Sequence, residues 1–302
     1  MMRPAKILGK TLPLLLLSSF LFCNKRVNND TSTPDRISIP VFGSPNTFEI
    51  ASWNIEQFPK SNQTVSDVAE IIRDLDIDLF AVQEIGSQSA FNSVTNQLKD
   101  YAGFLANFSG NLRTGIFYRS SLISIISDTL LFQSDSYNFP RPPLMLFLRA
   151  HQGTQSIDFY LIVVHLKAYG DPESENRRRV AVREMEQFIG NRVQQGGDPD
   201  YIIAGDWNDE LQDDSTDNVF NPFLNHPMQY VFLTLPFAGS QTEYSYIGGN
   251  FKSLIDHIMI TSSIQATYSN IETQIIKIDQ VFSQYEVEVS DHRPVAARIP
   301  AF

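Results

Sequence analysis

From residue 48 onward the apolar positions fall into short β-like runs separated by amphipathic stretches of helical period. Phe48-Glu49-Ile50-Ala51-Ser52-Trp53-Asn54 reads as a first strand ending in polar residues. Val65, Val68, Ala69, Ile72 and Leu75 then recur at helical spacing and predict a helix over residues 66–76. Residues 77–82 form an apolar run that ends on Gln83-Glu84. The unit is strand, helix, strand, with the polar residues of both strands at their C-terminal ends. A second helical pattern covers residues 90–101, and residues 116–118 and 122–126 read as the two strands of a hairpin. Residues 144–148 and 157–164 form another sheet-like pair, the latter ending on His165. Residues 174–195 are the longest helix candidate, with Ala181, Met185, Phe188, Ile189 and Val193 on one face and Arg177, Arg178 and Arg179 early in it. Gly196-Gly197-Asp198-Pro199 ends that helix before the strand at residues 201–204. Two layers of sheet with helices outside are the simplest way to bury such a pattern, which makes the chain α/β.

Composition agrees. Of 302 residues 42% are hydrophobic and 19% charged, enough for a substantial core, and 22 Phe with 11 Tyr favour sheet. No solenoid or propeller period is present. The start of the chain has a different character. Arg3, Lys6 and Lys10 precede an apolar run over residues 12–22 that is interrupted by Pro13 and too short to span a bilayer comfortably. We read residues 1–22 as a signal peptide, residues 23–46 as a polar tether rich in Asn, Asp, Ser, Thr and Pro, and residues 47–302 as the folded domain. Cys23, the single cysteine, stands where the leader ends and resembles the lipidation site of a bacterial lipoprotein, although Phe20-Leu21-Phe22 departs from the small residues usual there. A plain secretory leader and an uncleaved anchor are the alternatives. The expectation is an exported protein, either secreted or tethered to the outer surface or periplasmic face through a lipid on Cys23.

The net charge of −11 argues against a protein that clamps nucleic acid through a broadly basic face. It leaves room for a metal-dependent enzyme whose excess carboxylates include ligands of a cation. Three segments near the end carry that chemistry: Gly205-Asp206-Trp207-Asn208, Leu254-Ile255-Asp256-His257 and Ser290-Asp291-His292-Arg293-Pro294. Each adjoins a β-like run, so its polar groups are delivered to one rim of a sheet. An Asp-x-Asn and two Asp-His pairs can bind a hard divalent cation and supply an imidazole held by a carboxylate.

Together with Ser52-Trp53-Asn54-Ile55-Glu56, Val82-Gln83-Glu84-Ile85 and Val164-His165-Leu166-Lys167, these segments stand in one order along the chain. The set resembles the endonuclease/exonuclease/phosphatase superfamily, in its deoxyribonuclease-like branch. The resemblance implies a four-layered α/β sandwich of two packed, mainly antiparallel sheets flanked by helices, with a site at one rim. It also implies a metal-dependent phosphoric ester hydrolase using Mg²⁺ or Mn²⁺. By the same resemblance Glu84 is a metal ligand, with Asn54, Asp291 and Glu56 as its partners; relatives often carry Asp where Glu56 stands. His292 becomes the general base toward the attacking water and Asp256 the carboxylate that orients it. Asp206 and Asn208, two apart and hence on one strand face, position water or leaving group and bind a phosphoryl oxygen. His165 contacts the scissile phosphate, and Arg141 of Phe139-Pro140-Arg141-Pro142-Pro143 is a further phosphate contact. His257 should face away from Asp256 into the core, and His151 and His226 lie in no motif.

The expected activity is a nuclease hydrolysing DNA by in-line water attack, with nucleic acid as a transient substrate and the chain acting as a monomer. Alternatives are a sphingomyelinase-type phospholipid phosphodiesterase, for which Leu130-Leu131-Phe132 and Tyr244-Ser245-Tyr246 are candidate membrane-inserting protrusions, an inositol-phosphate phosphatase, and a non-catalytic binding module. Substrate choice is expected to lie in loops such as residues 86–91, 169–176 and 212–243, in which no code is legible.

Overall fold

A computed structural model describes residues 36–302. The expected leader, Cys23 and the first part of the tether fall outside the described residues. Strand β1 (Phe48–Phe58) is followed by helix α1 (Thr64–Leu75), β2 (Leu79–Ile85), α2 (Gln88–Gln97), β3 (Tyr101–Leu105) and β4 (Arg113–Arg119). The chain continues through β5 (Ile123–Leu130), β6 (Leu144–Gln152), β7 (Gln155–His165), the long helix α3 (Pro172–Gln194) and β8 (Tyr201–Asp206). It closes with α4 (Asn221–Leu224), β9 (Tyr230–Phe232), β10 (Asp256–Thr261), α5 (Ser262–Thr267), β11 (Glu272–Ile275), α6 (Tyr285–Glu288) and β12 (Val295–Ile299).

The strands form two six-stranded sheets, ordered β11-β12-β1-β2-β4-β3 and β5-β6-β7-β8-β10-β9. At the centre of each lies a parallel pair, β1 with β2 and β7 with β8, and the remaining neighbours are antiparallel. A parallel pair needs a crossover, and α1 and α3 supply the two crossovers on the outer faces. The expected four-layered sandwich is therefore the fold. Alternation along each strand builds it. In β1, Phe48 and Ile50 join the core between the sheets with Leu79, Leu146, Phe159 and Ile202, while Ala51 and Trp53 pack outward with Val68 and Ile72 of α1. Ile162, Ile203 and Met259 of the second sheet likewise pack outward against Ala181, Met185 and Ile189 of α3. Among the described residues no helix is long and apolar enough to cross a membrane.

The structure revises several expectations. The predicted tether is packed from residue 36 on: Ile37 and Phe42 are buried, Arg36 pairs with Asp67 at 2.8 Å and with Glu288 at 2.5 Å, and Phe42 donates its N–H to Leu75 O at 3.0 Å. Residues 113–119 and 123–130 are not a hairpin, because β4 pairs with β2 and β3 while β5 pairs with β6 in the other sheet. Ile116, Leu122 and Ile123 all enter the core between the sheets, so the short connection crosses from one sheet to the other. The second helix stops at Gln97, and Tyr101 opens β3 with its hydroxyl donating to Ile77 O at 2.7 Å in the interior. Val193 on α3 is 37% exposed, so the buried stripe of that helix ends at Ile189. Of the two candidate membrane protrusions, Leu131, Tyr244 and Ser245 are buried and cannot insert into lipid.

Candidate active site

Strands β1, β2, β7, β8 and β10 end at one rim, and register decides which side chains meet there. Asp206 lies opposite Asp256 across the antiparallel β8–β10 pair and beside His165 across the parallel β7–β8 pair. The second sheet thus presents His165, Asp206 and Asp256 in one row. In the first sheet Asn54 pairs with Gln83, and the register shifts between Val82 and Ile85. Glu84 sits in that irregularity with φ +63°, and Asn208 beyond β8 has φ +54°. Left-handed backbone is costly for a residue other than glycine, least so for Asn, and a bulge of this kind re-aims a side chain that strict alternation would send elsewhere. Glu84 is held in place by the Gln57 N–H, which donates to its Oε2 at 2.9 Å. The two sheets meet at Asn54, whose Nδ2 donates to Asp206 Oδ2 at 3.0 Å and to Glu84 Oε1 at 3.4 Å.

His292 and Asp256 form the second part of the site. Nδ1 of His292 is 2.7 Å from Asp256 Oδ2, and Nε2 faces Asp291 Oδ1 at 3.8 Å and Asp206 Oδ2 at 4.0 Å. Both residues are buried. Several bonds hold the dyad rigid. Ser245 Oγ accepts from the N–H groups of Ile255 and Asp256 at 3.2 and 3.1 Å. Ser290 Oγ donates to Asn54 O at 2.7 Å and accepts from His292 N at 2.9 Å, tying the loop to the end of β1. Tyr285 donates to His292 O and accepts from Trp53 Nε1 at 2.9 Å. Burial pulls the His292 pKa down, but Asp256, then Asp206 and Asp291, outweigh it and push the imidazole up to about 10.

Arg141 reaches the same rim. Its Nη2 lies 2.8 Å from His165 Nε2, and its Nη1 donates to Leu166 O at 3.4 Å. Guanidinium has only donors, so His165 Nε2 accepts and the proton resides on Nδ1. Burial, followed by the charges of Arg141 and His292, holds His165 well below its ordinary pKa, in agreement with a neutral ring. His165, 3.5 Å from Asp206 and 3.7 Å from Glu84, accepts from Arg141, whose other N–H groups could meet an anion.

The site is crowded with carboxylates. Burial, then the charge of Asp256, raises Asp206 to about 7, and burial with the nearby Glu56 raises Asp291 to about 6 against the opposing pull of His292. Glu56 accepts from the Asp291 N–H at 3.0 Å and pairs with Lys60, so it braces Asp291 with an oxygen already engaged. Asn54 Oδ1 and Asp256 Oδ1 are buried oxygens that meet no donor. Asp206, Asp256 and His292 have atoms within 4.8 Å of one another that could serve as ligands. The 2.7 Å hydrogen bond between Asp256 and His292 occupies those two groups with each other. The oxygen donors that remain and could hold a hard divalent cation are those of Glu84, Asn54 and Asp291, the last backed by Glu56.

Every residue expected at the site within the described part of the chain is at this rim: Asn54, Glu56, Glu84, Arg141, His165, Asp206, Asn208, Asp256, Asp291 and His292. His257 faces the core, as expected, with Nδ1 2.8 Å from Thr234 Oγ1 and Nε2 3.0 Å from Asp209 O, and burial lowers it to about 4. Sequence reasoning missed Ser245, Ser290 and Tyr285, which position the dyad. A lone hydroxyl in a loop carries no spacing signal that could have revealed them.

Solved structures similar in fold include TDP2 of D. rerio complexed with single strand DNA product, with a TM-score of 0.61 and 16% identity, covering 84% of this chain and 98% of that one. They also include truncated TDP2 of Caenorhabditis elegans, with a TM-score of 0.61, 15% identity and coverage of 84% and 97%. A mannosyl-6-phosphatase of Bacteroides thetaiotaomicron VPI-5482 aligns with a TM-score of 0.58 and 16% identity over 83% of this chain and 99% of that one. At such identities the likeness shows the fold alone. No curated protein matches in sequence. The sequence profile of the Endonuclease/Exonuclease/phosphatase family matches residues 51–292, a span that holds every site residue described above, and the chain belongs to that family of metal-dependent phosphoric ester hydrolases.

Proposed function

We propose that the protein is a divalent-metal-dependent phosphodiesterase that cleaves nucleic acid by in-line attack of water. The observation that carries this reading is the His292–Asp256 pair at 2.7 Å, with His292 Nε2 turned toward the carboxylate cluster that Arg141 borders. With Nδ1–H committed to Asp256, Nε2 would gain the lone pair needed to take a proton from water once a bound cation offsets the charges of Asp206 and Asp291 that hold the ring protonated, and Asp256 stabilises the imidazolium that forms again. Arg141, aimed by His165, is placed to donate to a phosphoryl oxygen as negative charge grows on it. Asn208, whose N–H donates to Asp206 Oδ1 at 2.9 Å and whose Nδ2 donates to Leu166 O at 3.3 Å, is fixed beside the same position. A cation held by Glu84, Asn54 and Asp291 would neutralise the carboxylates and polarise the phosphate; the chemistry favours Mg²⁺ or Mn²⁺. The nucleic-acid substrate is supported by a structural neighbour whose complex holds single strand DNA product.

The test offers residues 24–302 with Mg²⁺ plasmid DNA, RNA, sphingomyelin and a soluble inositol phosphate side by side. Fastest turnover on a nucleic acid is expected, and preferential hydrolysis of the lipid or the inositol phosphate would overturn the assignment. We propose in addition that the N-terminal leader exports the chain and that Cys23 carries a lipid. Fractionation of wild type against Cys23→Ser tests this, with release of the variant from membranes as the expected result.

A further inference from the structure

The loop after β7 carries a feature that the reaction at His292 does not use. Tyr169 is 75% exposed and has φ +83°, a conformation that a bulky side chain rarely adopts. The loop is locked in this shape. Arg178, buried on α3, donates from Nη1 to Lys167 O at 2.9 Å and to Tyr169 O at 2.7 Å, and from Nε to Asp209 Oδ2 at 2.6 Å. The Lys167 ammonium lies over the Tyr169 ring, 4.2 Å from its centroid, and the high exposure leaves the rest of the ring in solvent. An aromatic plane is thus held out rigidly at the edge of the site, since Leu166 O next to Lys167 accepts from both Arg141 and Asn208.

Charge around this plane is unbalanced. Arg177 donates to Tyr137 O from Nε at 2.7 Å and from Nη2, and stacks on the Tyr137 ring at 4.5 Å. Lys167 donates to Ala168 O at 3.0 Å. Among the described residues neither of them, nor Arg141, makes an ion pair with a carboxylate, although the chain carries a net charge of −11. Burial, followed by the repulsion of Arg177, outweighs the attraction of Asp171 and, with Arg141 and Arg178, keeps the Lys167 ammonium below its ordinary pKa. In an acidic protein, cations gathered beside a phosphate site with carboxylates near them but none in direct contact are matched to an anion that arrives with the ligand.

We propose that Tyr169, Lys167 and Arg177 form a binding subsite for the nucleotide next to the scissile phosphate, in which the base stacks on Tyr169 and the adjoining phosphate meets Lys167 and Arg177. Stacking on an exposed ring beside cations is how single strands are held without sequence preference. The subsite rests on the nuclease reading above and adds to it the recognition of a single strand.

The experiment compares kcat/KM on a single-stranded oligodeoxynucleotide with that on methyl p-nitrophenyl phosphate, which has no flanking nucleotide. Tyr169→Ala is expected to lower the oligonucleotide value by about tenfold to a hundredfold, the range for losing one stacked base. Tyr169→Phe is expected to keep it, and both variants to stay within about twofold of wild type on the small ester. Lys167→Gln is expected to reduce the slope of log kcat/KM against log salt on the oligonucleotide by about one, as for one lost phosphate contact. Tyr169→Gly, which fits φ +83° without strain, must fold at least as stably as wild type and still lose the oligonucleotide preference. Equal losses on both substrates, or a Tyr169→Ala enzyme that cleaves the oligonucleotide normally, would overturn the subsite while leaving the nuclease reading intact. A wild-type enzyme that hydrolyses the small ester and no nucleic acid would overturn both.

Discussion

Asp256→Asn is the change that most directly tests the base. In the folded chain Asp256 is fully buried and its Oδ2 lies 2.7 Å from His292 Nδ1. Asn fills the same space and can hydrogen-bond the ring, but it carries no charge and does not impose the tautomer that leaves Nε2 free. Removing one partner of a buried charged pair costs about 3–5 kcal/mol. With a cation bound the ring starts neutral and the imidazolium forms as water loses its proton, so this loss falls on the transition state. With a factor of ten for each 1.4 kcal/mol, the chemical step is expected to slow by roughly two to four orders of magnitude. The ground state changes as well. Without Asp256, burial dominates, and the His292 pKa is expected to fall well below its value of about 10. We would measure single-turnover rates of wild type, Asp256→Asn, His292→Ala and the double variant across a Mg²⁺ and Mn²⁺ titration, with the imidazole titration followed by NMR. The orienting role requires strong non-additivity, because once the base is gone Asp256 has nothing to orient. Additive losses, or recovery of Asp256→Asn at high metal concentration, would show that Asp256 serves as a ligand and refute the reasoning.

Chelation is expected to abolish turnover and Mg²⁺ or Mn²⁺ to restore it, with Glu84→Gln shifting the restoring concentration upward; full activity in excess chelator, checked by product release, would contradict the oxygen-rich site. Arg141→Gln is expected to lower kcat/KM by about 2–4 kcal/mol in activation free energy, the scale for losing a donor to the developing charge, whereas His165→Gln, which can still accept from Arg141, is expected to retain more activity. In chelator, stability is expected to fall as pH rises from 7 to 10. The folded His292 pKa is raised from 6.5 to about 10, so its stabilisation is complete below 6.5 and is lost through about 10, while the lowered His257 has finished titrating. A thermal unfolding midpoint that stays flat or climbs over that window would contradict the burial and pairing described. Gly205→Ala places a Cβ 2.1 Å from Val164 O in the neighbouring strand, and is expected to destabilise the fold by about 1–3 kcal/mol or more, read from the shift in denaturation midpoint.

Periodicity was enough to read the strand–helix–strand order around α1 and α3 and the ends of β1, β2, β7 and β8 as carriers of polar groups. These features are local, since alternation and helical spacing are set within a few residues and reflect which face meets the core. The motif segments were legible through their resemblance to a family, and a separate resemblance around Pro140-Arg141-Pro142 added Arg141 to Glu84 and His292. Three decisions needed the folded chain. The turn between β4 and β5 could close a hairpin or change sheets, and only the packing of Leu122 and Ile123 between the sheets decides it. Arg36, Ile37 and Phe42 look like linker because their partners Asp67, Glu288 and Leu75 are distant in sequence. The role of His165 depends on which atom approaches Nε2, and that Arg141 does so at 2.8 Å follows from the meeting of two loops. The residue types of the site were thus determined by the sequence alone. Which nitrogen holds a proton, which carboxylate is engaged with His292 and which ring stands in solvent were decided by tertiary contacts, because side-chain chemistry at a buried rim depends on neighbours that strand register and loop closure bring together.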